Sequence, residues 1–407
     1  MSSYLKVAIP NEWQIKKLKD CVKINPENLN LNEIKENYIN YIDIASIDNS
    51  TFQIQETKQI PITNIPSRAR RIVKENDVII STVRPYLKAF SKIRNKHNNF
   101  ICSTGFAVLR VKPDLDHEYL FQWVLNRKFV NYMISQMVGS SYPAVNISDV
   151  EVAPIILPPL NEQQKIASVL SNIDELIVFT RIIIDYLQIL KKGVMQRLLT
   201  EGIGHSEFKD SKLGKIPKEW NIVKIEDICS LRRENYEPEK DSNFNYIGLE
   251  HINSGDSILH RFGTEKDIKS TQHRFYSNDI LYGKLRPYLD KAVLVDFEGI
   301  CSTDIIVLRN NEKTIPEYLV NILHTSRFLH YIISTMSGTT LPRTNWKDLS
   351  KFKVKLPPIE EQEYIMSIIL NIDTRINDER KYIDILKVIK KGLMQDLLTG
   401  KKRVKVN

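Results

Sequence analysis

Two long stretches of the chain carry apolar residues on a strict seven-residue repeat. Residues 161–199 contain no proline and one glycine, Gly193. Positions 166, 173, 180, 187, 194 and 170, 177, 184, 191, 198 read Ile, Ile, Thr, Leu, Val and Leu, Ile, Ile, Lys, Leu, so eight of ten are apolar. Shifted by 199, positions 365, 372, 379, 386, 393 and 369, 376, 383, 390, 397 read Ile, Ile, Glu, Leu, Leu and Ile, Ile, Ile, Lys, Leu, with both interruptions in the same places. Matching seams of this kind predict two coiled-coil helices that pair with each other. The expected packing residues are Ile166, Leu170, Ile173, Ile177, Ile184 and Leu187 in one, and Ile365, Ile369, Ile372, Ile376, Ile383 and Leu386 in the other. Each stretch follows Pro-Pro, at 158–159 and 357–358, which suits helix entry because proline fixes φ. At 1.5 Å per residue each helix would be about 60 Å long, enough for a spacer or a docking surface. The alternative is a core helix lying across its own domain.

Elsewhere the pattern changes. Segments 38–48, 77–83, 101–111 and 151–157 are β-branched and alternating or continuously apolar, which predicts strands. Residues 118–137 and 317–336 have apolar positions at helical spacing. Each is expected to belong to a mixed α/β head with Ile79, Ile101 and Val108, or their counterparts Leu281, Ile300 and Val307, inside its sheet.

These elements recur because one module is written twice. IPNEW at 9–13 returns as IPKEW at 216–220, and NDVIISTVRPYLKAF at 76–90 as NDILYGKLRPYLDKA at 278–292. ICSTGFAVLR at 101–110 returns as ICSTDIIVLR at 300–309, LPPLNEQQ at 157–164 as LPPIEEQE at 356–363, and KKGVMQRLLT at 191–200 as KKGLMQDLLT at 390–399. The offset starts at 207 and settles at 199, so the insertions and deletions lie early in each copy. Residues 25–75 and 232–277 share little, as expected of two similar scaffolds with two different targets, or of drift in unconstrained loops.

Composition narrows the classes. The chain has 407 residues, 42% hydrophobic and 26% charged, which suits a globular protein of two or three domains. The net charge of +9 permits a polyanionic partner without demanding one. Cys21, Cys102, Cys229 and Cys301 form no CxxC pair, so neither zinc nor a disulfide framework is expected. The N-terminus lacks a signal-peptide pattern and no long uncharged apolar run is present, so the expected compartment is the cytoplasm.

Two repeated features could hold nucleic acid. Residues 68–96 contain nine Lys/Arg and two acids, and the matching stretch 266–291 contains six and three. Clustered basic side chains neutralise phosphates, and arginine can bond base edges bidentately. The candidates are Arg68, Arg70, Arg71, Arg84, Tyr86 and Lys88 in the first copy, and Arg274, Lys284, Arg286, Tyr288 and Lys291 in the second. The alternative is a solvated strand with a structural Arg-Pro corner. The second feature is a small polar loop, VGSSYPAVN at 138–146 and SGTTLPRTN at 337–345. Its glycine and paired hydroxyls, Ser140, Ser141, Thr339 and Thr340, could approach a phosphate. Arg343, Asn146 and Asn345 are further contact candidates, with ordinary turn capping as the alternative.

No GxxxxGK[ST], HExxH, G-x-S-x-G or kinase phrase occurs, and no Asn-Pro-Pro-aromatic site of an amino-methyltransferase. The phrases LPPLNEQQKIASVL, KKGLMQDLLTGK, IPKEW and SGTTLP, in this order and duplicated, make the chain resemble the specificity (S) subunit of type I restriction–modification systems along nearly its whole length. The resemblance implies two target recognition domains separated by two long antiparallel coiled-coil helices, with an internal pseudo-two-fold repeat. It places recognition domains at 1–157 and 216–356, helical spacers at 158–200 and 357–400, a linker at 201–215 and a frayed basic tail at 401–407. It implies a non-catalytic subunit that reads a split, asymmetric double-stranded DNA site. Two modification subunits would supply S-adenosylmethionine-dependent methylation, and two restriction subunits would supply ATP- and Mg-dependent cleavage. No cofactor or metal is expected in this chain. GSSYP departs from GTTLP, which makes contacts by Ser140 and Ser141 less secure than those by Thr339 and Thr340. The remaining alternative is a two-headed protein-interaction scaffold without DNA reading.

Overall fold

The computed structural model describes residues 9–30, 36–55, 57–94, 100–238, 244–265, 268 and 270–405. The chain divides into two compact units, Met1–Ile183 with Glu379–Asn407, and Ile184–Asp378. Compactness thus groups the chain differently from its linear order. Each unit takes one head, the first part of that head's own long helix and the last part of the other helix.

In the first unit, one sheet runs Val22–Ile24, Phe106–Val111, Val78–Ser81, Phe90–Lys92, all antiparallel. A second runs Lys58–Pro61, Tyr38–Ile42, Phe100–Ser103, Ala69–Ile72, with the central pair parallel. The second unit repeats the first sheet as Cys229–Leu231, Ile305–Asn310, Ile280–Gly283, Ala292–Leu294. Its other sheet has five strands, from Asn235–Tyr236 through Gln272–Phe275, Gly299–Cys301 and Asn245–Ile247 to Gly263–Thr264. The continuous apolar runs fill both sheets, and Ile79, Ile101, Val108, Leu281, Ile300 and Val307 are all buried. All four cysteines are buried and unpaired, and burial pushes the Cys102 and Cys229 thiols up to about 12.

The single helix expected in each head is two. The first pair is His117–Leu125 and Arg127–Ser135, and the second Pro316–Leu323 and Ser326–Thr335. Apolar spacing runs through the break, but a cap starts a new helix there. The Asn126 side chain accepts from the Lys128 N–H at 2.8 Å, and the Thr325 hydroxyl from Phe328 N–H at 3.3 Å.

The long helices span Leu160–Glu201 and Ile359–Leu397. In the first unit their segments run antiparallel, since Glu162 meets Arg403 while Asp174 meets Lys390. In the second unit Asp373 meets Lys191, and Glu361 meets His205 beyond the helix end. Of the expected packing residues, Leu187 and Ile372 are half-buried and the rest buried. Ile166 and Leu170 share a core with Leu397 and Leu398, and Ile365 and Ile369 share one with Met195 and Leu199. The interruptions at Lys191 and Lys390 are interior ion pairs, to Asp373 at 2.7 Å and Asp174 at 2.6 Å. Thr180 returns its hydroxyl to the Leu176 carbonyl at 2.7 Å.

The repeated phrases fasten helix to head. The Trp13 indole donates to Glu162 at 3.0 Å, and Trp220 donates to Glu361 at 2.8 Å. Gln163 donates to the Pro158 carbonyl at 2.9 Å and accepts from Asp116 N–H at 2.9 Å, and Gln362 repeats this with Pro357 at 2.9 Å and Ile315 at 3.1 Å. Tyr119 and Tyr318 donate to the carbonyls of Ile156 and Lys355 at 2.9 and 3.0 Å.

The C-terminal residues are not frayed as far as they are described. Arg403 bonds Glu162 at 2.9 Å and Glu12 at 2.7 Å, and Val404 packs against the core. The turn before them needs Gly400, whose φ is +73°. A Cβ there would press on Pro10 and lie 3.2 Å from Trp13. Gly400→Ala is therefore expected to cost about 2 kcal/mol through left-handed strain and displacement of Pro10. Urea denaturation measures this as a lowered midpoint.

Candidate nucleic-acid interface

The Arg-Pro corner leaves the end of a core strand in each copy. Pro85–Leu87 and Pro287–Leu289 form single 3₁₀ turns. Each turn is bracketed by left-handed residues, Arg84 (φ 48°) and Lys88 (φ 52°) in one copy, Arg286 (φ 51°) and Asp290 (φ 50°) in the other. Non-glycine residues pay strain there, so the surroundings must hold them. Proline's fixed φ suits the first turn position. Leu87 N–H bonds Arg84 O, and Leu289 N–H bonds Arg286 O, both at 2.9 Å. The result is an exposed tip, with Tyr86 and Leu87 each 45% exposed, Tyr288 46% and Leu289 39%. The corner thus turns two large apolar side chains toward solvent instead of the core.

The polar loop is stitched to this corner. Val138 and Ala144 exchange two backbone bonds at 2.9 and 3.0 Å, and Ser337 and Arg343 exchange two at 2.9 and 2.8 Å. Gly139 (φ +92°) and Gly338 (φ +95°) make the reversal possible. The same segment joins the corner strand. Arg84 N–H bonds Pro143 O at 2.9 Å and Arg286 N–H bonds Pro342 O at 2.7 Å. Val145 and Thr344 N–H bond the Thr82 and Lys284 carbonyls at 2.9 Å. Two features read separately in the sequence thus form one surface in each unit. Ser140, Ser141, Thr339 and Thr340 project from it, exposed.

The other candidates divide. Arg68, Arg70 and Arg286 are exposed. Arg84 is half-buried, its guanidinium bonded to the Ser141 carbonyl at 3.2 Å and 5.1 Å from the centroid of the exposed Tyr142 ring. Arg71 reaches Asn28 at 3.1 Å, and Lys284 is half-buried. Burial, then the nearby Lys390 charge, lowers the Lys88 pKa. In the second copy, four candidates also hold protein partners. Arg274 bonds Glu298 at 3.1 Å and lies over Phe244, and Arg343 pairs with Asp304 at 3.0 Å. Lys291 donates to the Leu249 carbonyl, and Asn345 caps its helix by accepting from Asp348 N–H at 3.0 Å. Asn146 opens the equivalent short helix without a side-chain cap bond.

Sequence reasoning missed Leu87, Leu289 and Tyr142 as surface groups. For the leucines the only signal is an apolar residue repeated within a turn phrase. Among the described residues, no group of three or more His, Cys, Asp or Glu could hold a metal, and no helix is long and apolar enough to cross a membrane.

Known proteins share this organisation. The type I restriction modification DNA specificity domain matches twice, at residues 10–188 and 217–387. The MjaVIII type I restriction enzyme specificity subunit of Methanocaldococcus jannaschii is 26% identical over 98% of this chain and 94% of its own length. The fold resembles a solved chain from a type I R-M system studied for complex assembly and conformational transition, with a TM-score of 0.60 at 21% identity, covering 97% of this chain and all (100%) of that one. It also resembles the type I S subunit from M. genitalium, with a TM-score of 0.57 at 16% identity, covering 98% and 99%. With both copies of the module matched, the chain belongs to the type I restriction modification DNA specificity family.

Proposed function

We propose that each head reads one part of a split, asymmetric DNA target through its corner and polar loop. We further propose that the helices fix the spacing and dock two modification subunits, with two restriction subunits completing the complex. The observation that carries this reading is one exposed surface built twice on the same frame with different chemistry. Lys88, Ser140, Ser141 and Tyr142 stand in the first copy where Asp290, Thr339, Thr340 and Leu341 stand in the second. Half-sites read from one DNA face lie about 34–36 Å apart, a span that helices of about 60 Å cover. Docking is supported by apolar side chains on the outer helix faces. Phe179 is 60% exposed and Val388 71% exposed, alongside Leu176 and Ile385. Apolar groups in such a row mark a protein contact. Recognition belongs to this chain, while S-adenosylmethionine, ATP and Mg belong to the partner subunits.

The chain alone is expected to bind duplex DNA weakly, with affinity falling as salt rises. Adding a modification subunit should convert this to binding that prefers one sequence. Mobility shifts across a salt series measure both. Absence of any shift at low salt, even with the partner, would favour the protein-scaffold reading.

A further inference from the structure

The first unit contains a cavity of about 650 Å³ that shares only Lys88 with the candidate DNA-contact residues. It lies between the head and the long helices, and its volume is that of a small-molecule site. Lys88, Arg127, Lys128, Lys390 and Lys391 line it. Asp174 is the only acid in the wall, and it is already committed to Lys390 at 2.6 Å and to the Gln122 amide at 2.9 Å. Among the described residues, the side chains of Lys88, Arg127, Lys128 and Lys391 have no ion-pair partner. Burial lowers the pKa of Lys88 and Lys128, so positive charge is held there at a cost that no protein anion offsets. Phe52 and Met394 supply an apolar wall, and Phe52 sits in the left-handed region (φ 58°). Strain of this kind clusters at binding sites.

The duplicated module provides an internal control. The matching cavity of the second unit, about 360 Å³, carries Lys192 and Met195 where the first carries Lys391 and Met394. Its charge is lower. Ser326 replaces Arg127, and Asp290, bonded to His324 at 2.8 Å, replaces Lys88. Lys355 there is tied to the carbonyls of Thr200 and Lys215 at 3.4 and 3.2 Å. The shared frame therefore does not require Lys88 or Arg127, whereas Lys128 and Lys391 have cationic counterparts in Arg327 and Lys192.

We propose that the cavity of the first unit binds a nucleotide-like small molecule, with its phosphates against Lys88, Arg127, Lys128 and Lys391 and its ring against Phe52 and Met394. Calorimetric titration of the full chain with a magnesium-free nucleoside triphosphate tests this, with a DNA duplex as a second arm. One saturable site is expected. Arg127→Ser combined with Lys391→Gln should weaken binding at least about tenfold, on the scale of one or two lost charge-assisted bonds. Lys192→Gln, in the second unit, should leave it unchanged. Arg127, Lys391 and Lys192 are exposed, so these variants should fold, and their unfolding midpoints check that. The proposal is overturned if the triphosphate shows no saturable binding, or if the double variant binds as well as the parent. It is also overturned if only the duplex binds and loses affinity in the double variant, which would give the cavity to backbone phosphates of DNA.

Discussion

Glu162→Ala should destabilise the first unit by about 3 kcal/mol, from a total that for most domains is about 5–15 kcal/mol. The Glu162 side chain is 2% exposed and accepts from the Trp13 indole at 3.0 Å and from Arg403 at 2.9 Å. Truncation leaves a buried indole N–H without a partner, worth about 1–3 kcal/mol, and strips Arg403 of one of its two carboxylates. The loss falls at the lower end of the range for breaking a buried pair because Arg403 is 46% exposed and can turn to water. Glu162→Gln preserves an acceptor and should cost less. Urea unfolding measures both, and a change within about 0.5 kcal/mol, the scale of an ordinary surface substitution, would contradict this role.

Combining Arg286→Ala with Tyr288→Ala should lower affinity for a specific duplex about 10- to 100-fold without destabilising the fold. Both side chains are exposed, and Tyr288 is 46% so. If Arg286 meets a phosphate, its removal should reduce the salt slope by about one, while loss of the Tyr288 contact should lower affinity without changing that slope. Binding measured at several salt concentrations separates the two contributions. Unchanged affinity and slope would remove the corner from the interface.

The duplication and both seams were legible because strict periodicity is local information. The residues that make them work were only half legible. Lys191 and Lys390 are visible as interruptions, but their partners Asp373 and Asp174 lie off the seam. The phrases around Trp13 and Glu162 repeat conspicuously, yet their contact spans 149 residues, a distance over which no pattern in the chain speaks. Counting basic residues overstated the free charge, since Arg274 and Arg343 are neutralised by Glu298 and Asp304. The apolar tips were missed because an exposed leucine in a turn looks like a core residue until the backbone bonds that lift it outward are known.

If two different heads on one frame specify a split DNA target, the methylated motif should have two unlike parts. Mapping methylated bases across the genome of the host, with and without this chain, tests it most directly. The expected result is a motif of two unlike parts separated by a fixed gap, methylated only when the chain is present. Methylation of the same motif without the chain, or a motif of one continuous block, would contradict it.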